Sequence, residues 1–571
     1  MDAALLQRVE RWLDGDPDVH DRAELRALIQ AADEAALRAR FSGRLSFGTA
    51  GLRGPIQAGP RGMNTAVIRQ STAGLAEVLL QDPDAAERGV VVGFDARHRS
   101  EAFAVEATAV LRAQGIRVFL WDRCLPTPAT AWALRDRGAA AAIQITASHN
   151  PPGDNGYKVY WSHGAQIIPP VDGAIADAID RIAQGLASAI PCALPEASGP
   201  GVGRLELLCQ VDLDRYQRAV IDGCPWWPGQ ASPLRVVYTA LHGVGQGSVC
   251  SLLSTAGFDS VFPVAAQGRP DGQFPTVAFP NPEEDGALDL ALAEAERVRG
   301  DLVIANDPDA DRLALVLPVP GAGWRALTGN ELGSLLGDFC LRHHEEDRPL
   351  VVASIVSSEM LGQQAAAFGA EFVQVLTGFK WIAEAARSRP ERQFVFGFEE
   401  ALGYCVGDLV ADKDGVSAAL AICCMAEELR QRGTTLLEHL ETLQTTHGRH
   451  RSDQLVSRFD GVGASDAMIA QVDRVRQNPP AQLGTFTLQQ RDDHQTGKRW
   501  RAGQEVRLTG PSANLLCLRY SDGNEALRVL VRPSGTEPKV KTYFEWRGEG
   551  DGAFAEARLS DLITAWKEAM E

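Results

Sequence analysis

The chain reads as three similar α/β domains followed by a smaller C-terminal α+β domain, and three observations predict this. Its 571 residues exceed what one hydrophobic core organises, since single cores stop growing beyond about 250–300 residues. A βαβ opening is written three times, in "GVVVGFDARHRSEAFAVEATAVLRAQGIRVFL", "LRVVYTALHGVGQGSVCSLLSTAGFDSVF" and "PLVVASIVSSEMLGQQAAAFGAEFVQV", beginning near Val90, Leu234 and Leu350. Each gives a β-branched run, a polar or glycine loop, an Ala/Leu-rich helix and a second strand. Past "TTHGRHRSDQL" the pattern turns to alternation and ends in strands before a C-terminal helix.

In chain order, the first forty residues predict two surface helices joined at "DGDPD", acting as packing or a cap. The spacing of the three openings is too irregular for a solenoid, so they stand as separate units. The Pro/Gly-rich stretch from Pro191 to Gly203 marks a linker. The boundaries follow as 1–203, 204–320, 321–446 and 447–571.

Composition narrows the partners. The hydrophobic share of 45% and charged share of 23% are those of a folded globular protein. A net charge of -18 repels nucleic acid, so an anionic substrate needs a local cluster of Arg and Lys. The ten cysteines include no CxxC pair, which points to neither a zinc site nor a disulfide framework. Acidic residues stand where a secretory signal needs a basic end, and no apolar run reaches the roughly 18 residues of a membrane span. The expectation is a reduced, cytoplasmic protein with no membrane partner and no oligomeric state set by the sequence.

Each opening is followed by a strand that runs into a polar loop: "AAIQITASHNP", "DLVIANDPDADR" and "QFVFGFEEALGY". Open α/β sheets bind ligands at the carboxyl ends of strands, so these loops are candidates for one shared site. In "NDPDADR", Asp307, Asp309 and Asp311 alternate, and alternate residues of extended backbone share a face. Converging carboxylates repel unless a cation or protons neutralise them. Oxygen ligands alone suit Mg²⁺ or Ca²⁺. An EF-hand is excluded, because Arg312 stands at the sixth position and Pro318 at the twelfth.

"SHNPPGDNG" by itself is a turn, yet the strand before it delivers Ser148 to a strand end, with Lys158 ten residues on. No GxSxG elbow is present, which argues against a Ser-His-Asp hydrolase. A phosphate-carrying serine beside a hard cation fits better. "VRPSGTEPKVKTY" supplies the basic cluster: Arg532, Ser534, Gly535 and Thr536 offer a guanidinium fork, hydroxyls and turn amides to a phosphate, or form a plain surface turn. Glu399 and Glu400, following Gly397, either accept from sugar hydroxyls or face a helix dipole. Lys380 in "TGFKWI" is a phosphate or sugar contact or an ordinary exposed lysine. Arg53 lies in the glycine-rich "FGTAGLRGP", where backbone can approach an anion.

Taken together, "FGTAGLRGP", "TASHNPPGDNGYK", "NDPDADR", "GFEEALGY" and "RPSGTEPK" resemble the signature loops of the α-D-phosphohexomutase superfamily, from about Phe47 to the C-terminus. "FGTAGLRG", "TGFKWI" and "GFEEALGY" are most similar to its phosphoglucomutase/phosphopentomutase branch. The resemblance implies four domains around a central cleft, the first three with mixed sheets. It implies that Ser148 is the phosphoserine and, with Asp307, Asp309 and Asp311, a ligand of Mg²⁺. Arg312 and Arg53 would steady the transferring phosphoryl group, and Lys158 and His149 would serve proton transfer and active-site contacts. Glu399, Glu400, Gly397 and Lys380 would meet the sugar, and Arg532, Ser534, Gly535 and Thr536 the phosphate that is not reacting.

The implied activity is a phosphoglucomutase, interconverting α-D-glucose 1-phosphate and glucose 6-phosphate, with glucose 1,6-bisphosphate as activator and intermediate. The alternatives are a phosphopentomutase, a phosphomannomutase or a glucose 1,6-bisphosphate synthase, and, from another class, a non-catalytic sugar-phosphate sensor. "RPDGQFPTVAFPNPEE" resembles a family loop near the metal-binding domain, although turn formation accounts for it equally.

Overall fold

The computed structural model describes residues 2–46, 51–224, 231–345, 347–459, 463–534 and 538–570. The first three sheets share one strand wiring. In the first, Val90–Phe94 is central, Val118–Trp121 and Ala141–Ile145 flank it in parallel, and Asp154–Trp161 runs antiparallel beside Ala141–Ile145. The second repeats this with Val236–Thr239, Val261–Pro263, Leu302–Ala305 and Ala314–Val319. The third uses Pro349–Ser354, Glu371–Val375, Gln393–Glu399 and Gly403–Val406. The parallel central strands, covered on both faces, are unbroken apolar runs.

This wiring positions the site. In every repeat the third strand ends in a hairpin to the antiparallel fourth, and those three connections are the polar loops at 146–153, 306–313 and 400–402. The C-terminal sheet is antiparallel, running in space from Arg449–Arg458 through Lys539–Gly548, Ala526–Pro533, Leu516–Ser521 and Phe486–Asp493. The helices Ala464–Gln477 and Gly552–Met570 cover one face of it, around Phe544, Trp546 and Trp566. On the other face, Leu515, Cys517, Leu530 and Tyr543 pack on Val356 of the third unit.

Three local expectations are corrected. The N-terminal cap has three helices, Ala3–Gly15, Val19–Gln30 and Glu34–Phe41. Ala32 turns left-handed (φ 51) and Asp33 caps the Ala36 amide, splitting the run read as one helix. The stretch from Pro191 to Gly203 is no free linker, because Arg112 donates to the carbonyls of Leu194, Pro195, Ala197 and Gly203. Leu205–Leu208 then pairs with Val118–Trp121, so the first sheet continues past residue 203. The C-terminal unit also carries the helix Ala464–Gln477, where the sequence predicts strands alone before the last helix. Among the described residues, no helix is long and apolar enough to cross a membrane.

Candidate active site

Ser148 is held, not merely exposed by a turn. Its backbone is left-handed (φ 54), a conformation that costs a non-glycine residue energy and persists only when neighbours enforce it. Its amide donates to Thr146 Oγ1 (2.8 Å) and its hydroxyl to Asp307 Oδ2 (2.8 Å), which comes from the second repeat. Lys158 lies opposite Gln144 in the hairpin's return strand. The ten-residue spacing therefore brings the lysine back to the end of the sheet where the serine sits.

The three aspartates are fully buried, and their ligand-capable oxygens lie within 4.8 Å of one another. Lys158 Nζ donates to Asp309 Oδ2 (2.7 Å) and Asp311 Oδ2 (2.9 Å). Thr127 donates its hydroxyl to Asp309 Oδ2 (2.6 Å) and its amide to the Asp309 carbonyl. Burial, then Asp309 and Asp311, push the Asp307 carboxyl up to about 8. Burial and Asp311 push Asp309 up as well, but Lys158 overcomes them and holds it below the usual range. Against burial, Lys158, Lys413 and Arg312 hold Asp311 low. Among the described residues, Asp309 Oδ1 and Asp311 Oδ1 are buried without a hydrogen-bond partner. An all-oxygen set with two unsatisfied carboxylate oxygens fits a hard divalent cation.

The other predicted residues gather unevenly. Arg312 donates its amide to Asp307 Oδ1 (3.1 Å), and its Nε stands 3.8 Å from Asp307 and 4.0 Å from Asp311. Arg53 Nη1 donates to Asn150 Oδ1 (3.3 Å). Among the described residues its Nε is buried and unpaired, as is His149 Nδ1. Burial, with Arg312 and Arg53 adding to it, holds His149 well below the usual imidazole range, so the ring is neutral. Glu399 accepts from the Gly378 amide (2.7 Å), and Glu400 from the hydroxyls of Ser354 and Ser357. Burial and the adjacent Glu399 push Glu400 up to about 7.

Gly397 lies within the strand Gln393–Glu399, where a Cβ would come 2.7 Å from Ile382 Cγ2 and 2.9 Å from the Phe394 ring. Its role there is close helix–sheet packing beneath Glu399. Lys380 Nζ stands 5.7 Å from the Trp381 ring centroid, and burial lowers its pKa. Arg532 is the penultimate residue of the strand Ala526–Pro533, and the Ser534 amide donates to the Lys539 carbonyl (2.8 Å). Gly535 and Thr536 lie outside the described residues, as do residues 47–50 of the Arg53 loop.

Sequence reasoning missed Lys413. Its Nζ is 3.2 Å from Asp311 and 3.1 Å from Asp412, and Asp311, Asp412 and Glu399 hold its pKa up against burial. Its neighbours fix it from two sides. Asp412 accepts from Tyr160 and Gln166 of the first repeat, and Asp414 from Tyr216. The only sequence signal was "ADKDG", a lysine between two aspartates, which reads equally as a turn.

The chain matches the "Phosphoglucomutase/phosphomannomutase" family in its alpha/beta/alpha domains I, II and III over residues 44–185, 214–319 and 328–446, and in its C-terminal domain over 520–556. It is 34% identical to the mouse phosphopentomutase, covering 100% of this chain and 95% of that protein. To the mouse glucose 1,6-bisphosphate synthase it is also 34% identical, covering 99% and 94%. A Haemophilus influenzae protein named "Probable phosphomannomutase" is 36% identical over 86% of this chain and 94% of its own. Among solved structures, the open form of parafusin, a Paramecium phosphoglucomutase, superposes with a TM-score of 0.68 at 17% identity, covering 92% and 94% of the two chains. The chain belongs to the phosphoglucomutase/phosphomannomutase family of the α-D-phosphohexomutase superfamily and is a mutase of that family.

Proposed function

We propose that the protein is a phosphoglucomutase that interconverts α-D-glucose 1-phosphate and glucose 6-phosphate through phosphorylated Ser148 and glucose 1,6-bisphosphate. The observation that carries this is the Ser148 hydroxyl, buried, strained and 2.8 Å from an aspartate of a three-carboxylate cluster that also holds a lysine. A sensor has no need to keep a nucleophile in that setting. Asp307, Asp309 and Asp311, with a phosphoserine oxygen, would hold Mg²⁺, which when bound supplies charge neutralisation for the phosphoryl oxygens.

In the forward half-reaction, a free sugar hydroxyl attacks the phosphorus of phosphoserine 148. The new P–O bond to the sugar forms as the P–O bond to Ser148 breaks, the hydroxyl proton passes to a base, and a proton returns from that base to the departing Ser148 oxygen. Neutral His149 is in the right protonation state to accept one. Lys158 and Lys413 stay charged, and together with Arg312 and Arg53 offset the charge on the transferring group. Glu399 and Glu400 would accept from the sugar hydroxyls. Arg532 and Ser534, with Gly535 and Thr536, would grip the distal phosphate. After the bisphosphate turns over in the cleft, its other phosphate returns to Ser148.

The pentose reading is favoured by the phosphopentomutase relatives and the bisphosphate synthase reading by the synthase relatives. Phosphorus NMR decides among them, with Mg²⁺, trace glucose 1,6-bisphosphate and equal glucose, mannose and ribose 1-phosphates in one tube. The glucose signal is expected to convert first. A ribose signal that leads makes the protein a phosphopentomutase. No conversion by folded, phosphorylated protein refutes the mutase reading for these sugars, and bisphosphate formation only with an acyl phosphate donor establishes the synthase.

A further inference from the structure

The loop "RPDGQFP", from Arg269 to Pro275, packs on the first repeat at Arg97. The Arg97 side chain is fully buried. Its Nη2 donates to the carbonyls of Ser148 (2.6 Å) and Asn150 (2.5 Å), and its Nη1 to those of Pro151 (2.8 Å) and Asp154 (3.1 Å). One guanidinium thus fastens four carbonyls of the serine loop, a task for a planar fork that a single ammonium does not reproduce. The Phe274 ring covers that guanidinium, 5.0 Å from its carbon to the ring centroid.

The contact is also a close backbone fit. A Cβ on Gly272 would stand 2.8 Å from the Ala96 carbonyl oxygen, 2.9 Å from the His98 nitrogen and 3.1 Å from the Arg97 Cα. The loop is tied to its own repeat, since the Asp271 amide donates to the His242 carbonyl (2.9 Å) and the Phe274 amide to the Asp271 carbonyl. Phe274 itself is left-handed (φ 47). The repeat that carries the aspartate loop therefore grips the serine loop a second time, from behind.

We infer that Gly272 and Phe274, acting through Arg97, are positioning residues that keep Ser148 in register with the aspartate loop throughout the phosphorylation cycle. The inference rests on the proposed role of Ser148. The Ser148–Asp307 hydrogen bond exists only while the serine carries its proton, so it cannot hold the register once phosphate replaces that proton. The Phe274–Arg97 contact involves no reacting atom and persists in both states. Misplacement of a reacting group by about 1 Å costs on the order of 100-fold in rate.

The test uses the full chain with Gly272→Ala, Phe274→Leu and Phe274→Tyr. Rapid-quench single turnover measures phosphoryl transfer from Ser148 to glucose 1-phosphate, and hydrogen exchange reads the amides of residues 148–154. Gly272→Ala and Phe274→Leu are expected to slow transfer by about 10- to 100-fold with KM within about twofold, and to speed exchange in that loop. Phe274→Tyr, which keeps the aromatic face, is expected to match wild type, whereas a packing role alone is met by leucine. Wild-type transfer and exchange in Gly272→Ala and Phe274→Leu overturn the inference, as does a Phe274→Tyr protein as slow as Phe274→Leu. If wild type takes no phosphate from the bisphosphate, the function proposal fails, and the exchange data then decide the positioning role alone: faster exchange supports it and unchanged exchange overturns it.

Discussion

Replacing Lys158 with methionine tests whether balanced charge organises the aspartate loop. The ammonium lies 2.7 Å from Asp309 and 2.9 Å from Asp311, with 1% of the side chain exposed. At an effective dielectric constant of 20, each contact is worth about 6 kcal/mol before desolvation. Burial of the charges offsets most of that gain, and removing one partner of such a pair costs about 3–5 kcal/mol. Methionine keeps the unbranched stem, so a cavity adds little. Above about pH 8, where Asp307 is ionised, the three carboxylates then face two cations, Lys413 at 3.2 Å from Asp311 and Arg312 at 3.8 Å from Asp307. The excess negative charge favours a divalent ion, which stabilises the fold by about 2.7 kcal/mol when its concentration is 100 times its Kd. Scanning calorimetry in EDTA above pH 8 is expected to show the variant melting well below wild type, with Mg²⁺ raising its transition more than it raises that of wild type. Turnover stays low in Mg²⁺, because the metal does not replace the ammonium. A Lys158→Met protein that melts with wild type in EDTA, or gains no more from Mg²⁺, refutes the reasoning.

Ser148→Ala retains the fold, since it loses one hydrogen bond worth about 1 kcal/mol, but loses nearly all turnover and takes up no phosphate by intact mass measurement; activity near that of wild type removes the phosphoserine. Glu400, pushed up to about 7 by burial and Glu399, has a folded pKa above its unfolded one. Its protonated form is therefore favoured by folding, and the stability present below pH 4.5 is lost as pH rises to about 7, by at most about 3 kcal/mol and less where water reaches the carboxylate. Glu400→Gln should flatten that part of the melting-temperature profile, and a profile unchanged from wild type counts against it. Arg528 bonds the carbonyls of Ile355 and Ser357 and pairs with Glu359 and Glu545. Arg528→Met should loosen the C-terminal unit by about 3–5 kcal/mol and expose the junction near residue 447 to limited proteolysis; wild-type resistance contradicts this. Small-angle scattering with and without sugar bisphosphate should detect movement of that unit, and identical envelopes argue against it.

The shared wiring was readable because parallel strands covered on both faces must be unbroken apolar runs, and each such run ended at a polar loop. The structure places those loops at the carboxyl ends of the three sheets, where the proposed chemistry needs them. What escaped notice lies between them. Lys413 reaches from the third repeat to Asp311 of the second, and Arg97 serves the serine loop from 51 residues away. Neither belongs to a pattern of spacing, since their partners are remote in the chain. The Pro191–Gly203 stretch misled for the same reason: its composition is that of a linker, but the buried Arg112 that pins it sits on a helix about eighty residues earlier.

The repeat explains both the success and the misses. Duplicated wiring brings three equivalent hairpins to one place, and in the proposed function each carries different chemistry: a nucleophile, a metal-binding cluster and a pair of hydroxyl acceptors. Those groups work only in register, and the register is not encoded in the hairpins. It comes from contacts between repeats, such as Thr127 on Asp309, Tyr160 on Asp412, Tyr216 on Asp414 and Phe274 on Arg97. Three of these join a polar group to a buried carboxylate, whose unsatisfied alternative is costly, so each discriminates between aligned and misaligned repeats. Substitutions at these junctions are accordingly expected to cost rate as well as stability, whereas substitutions inside one repeat's apolar strands cost mainly stability.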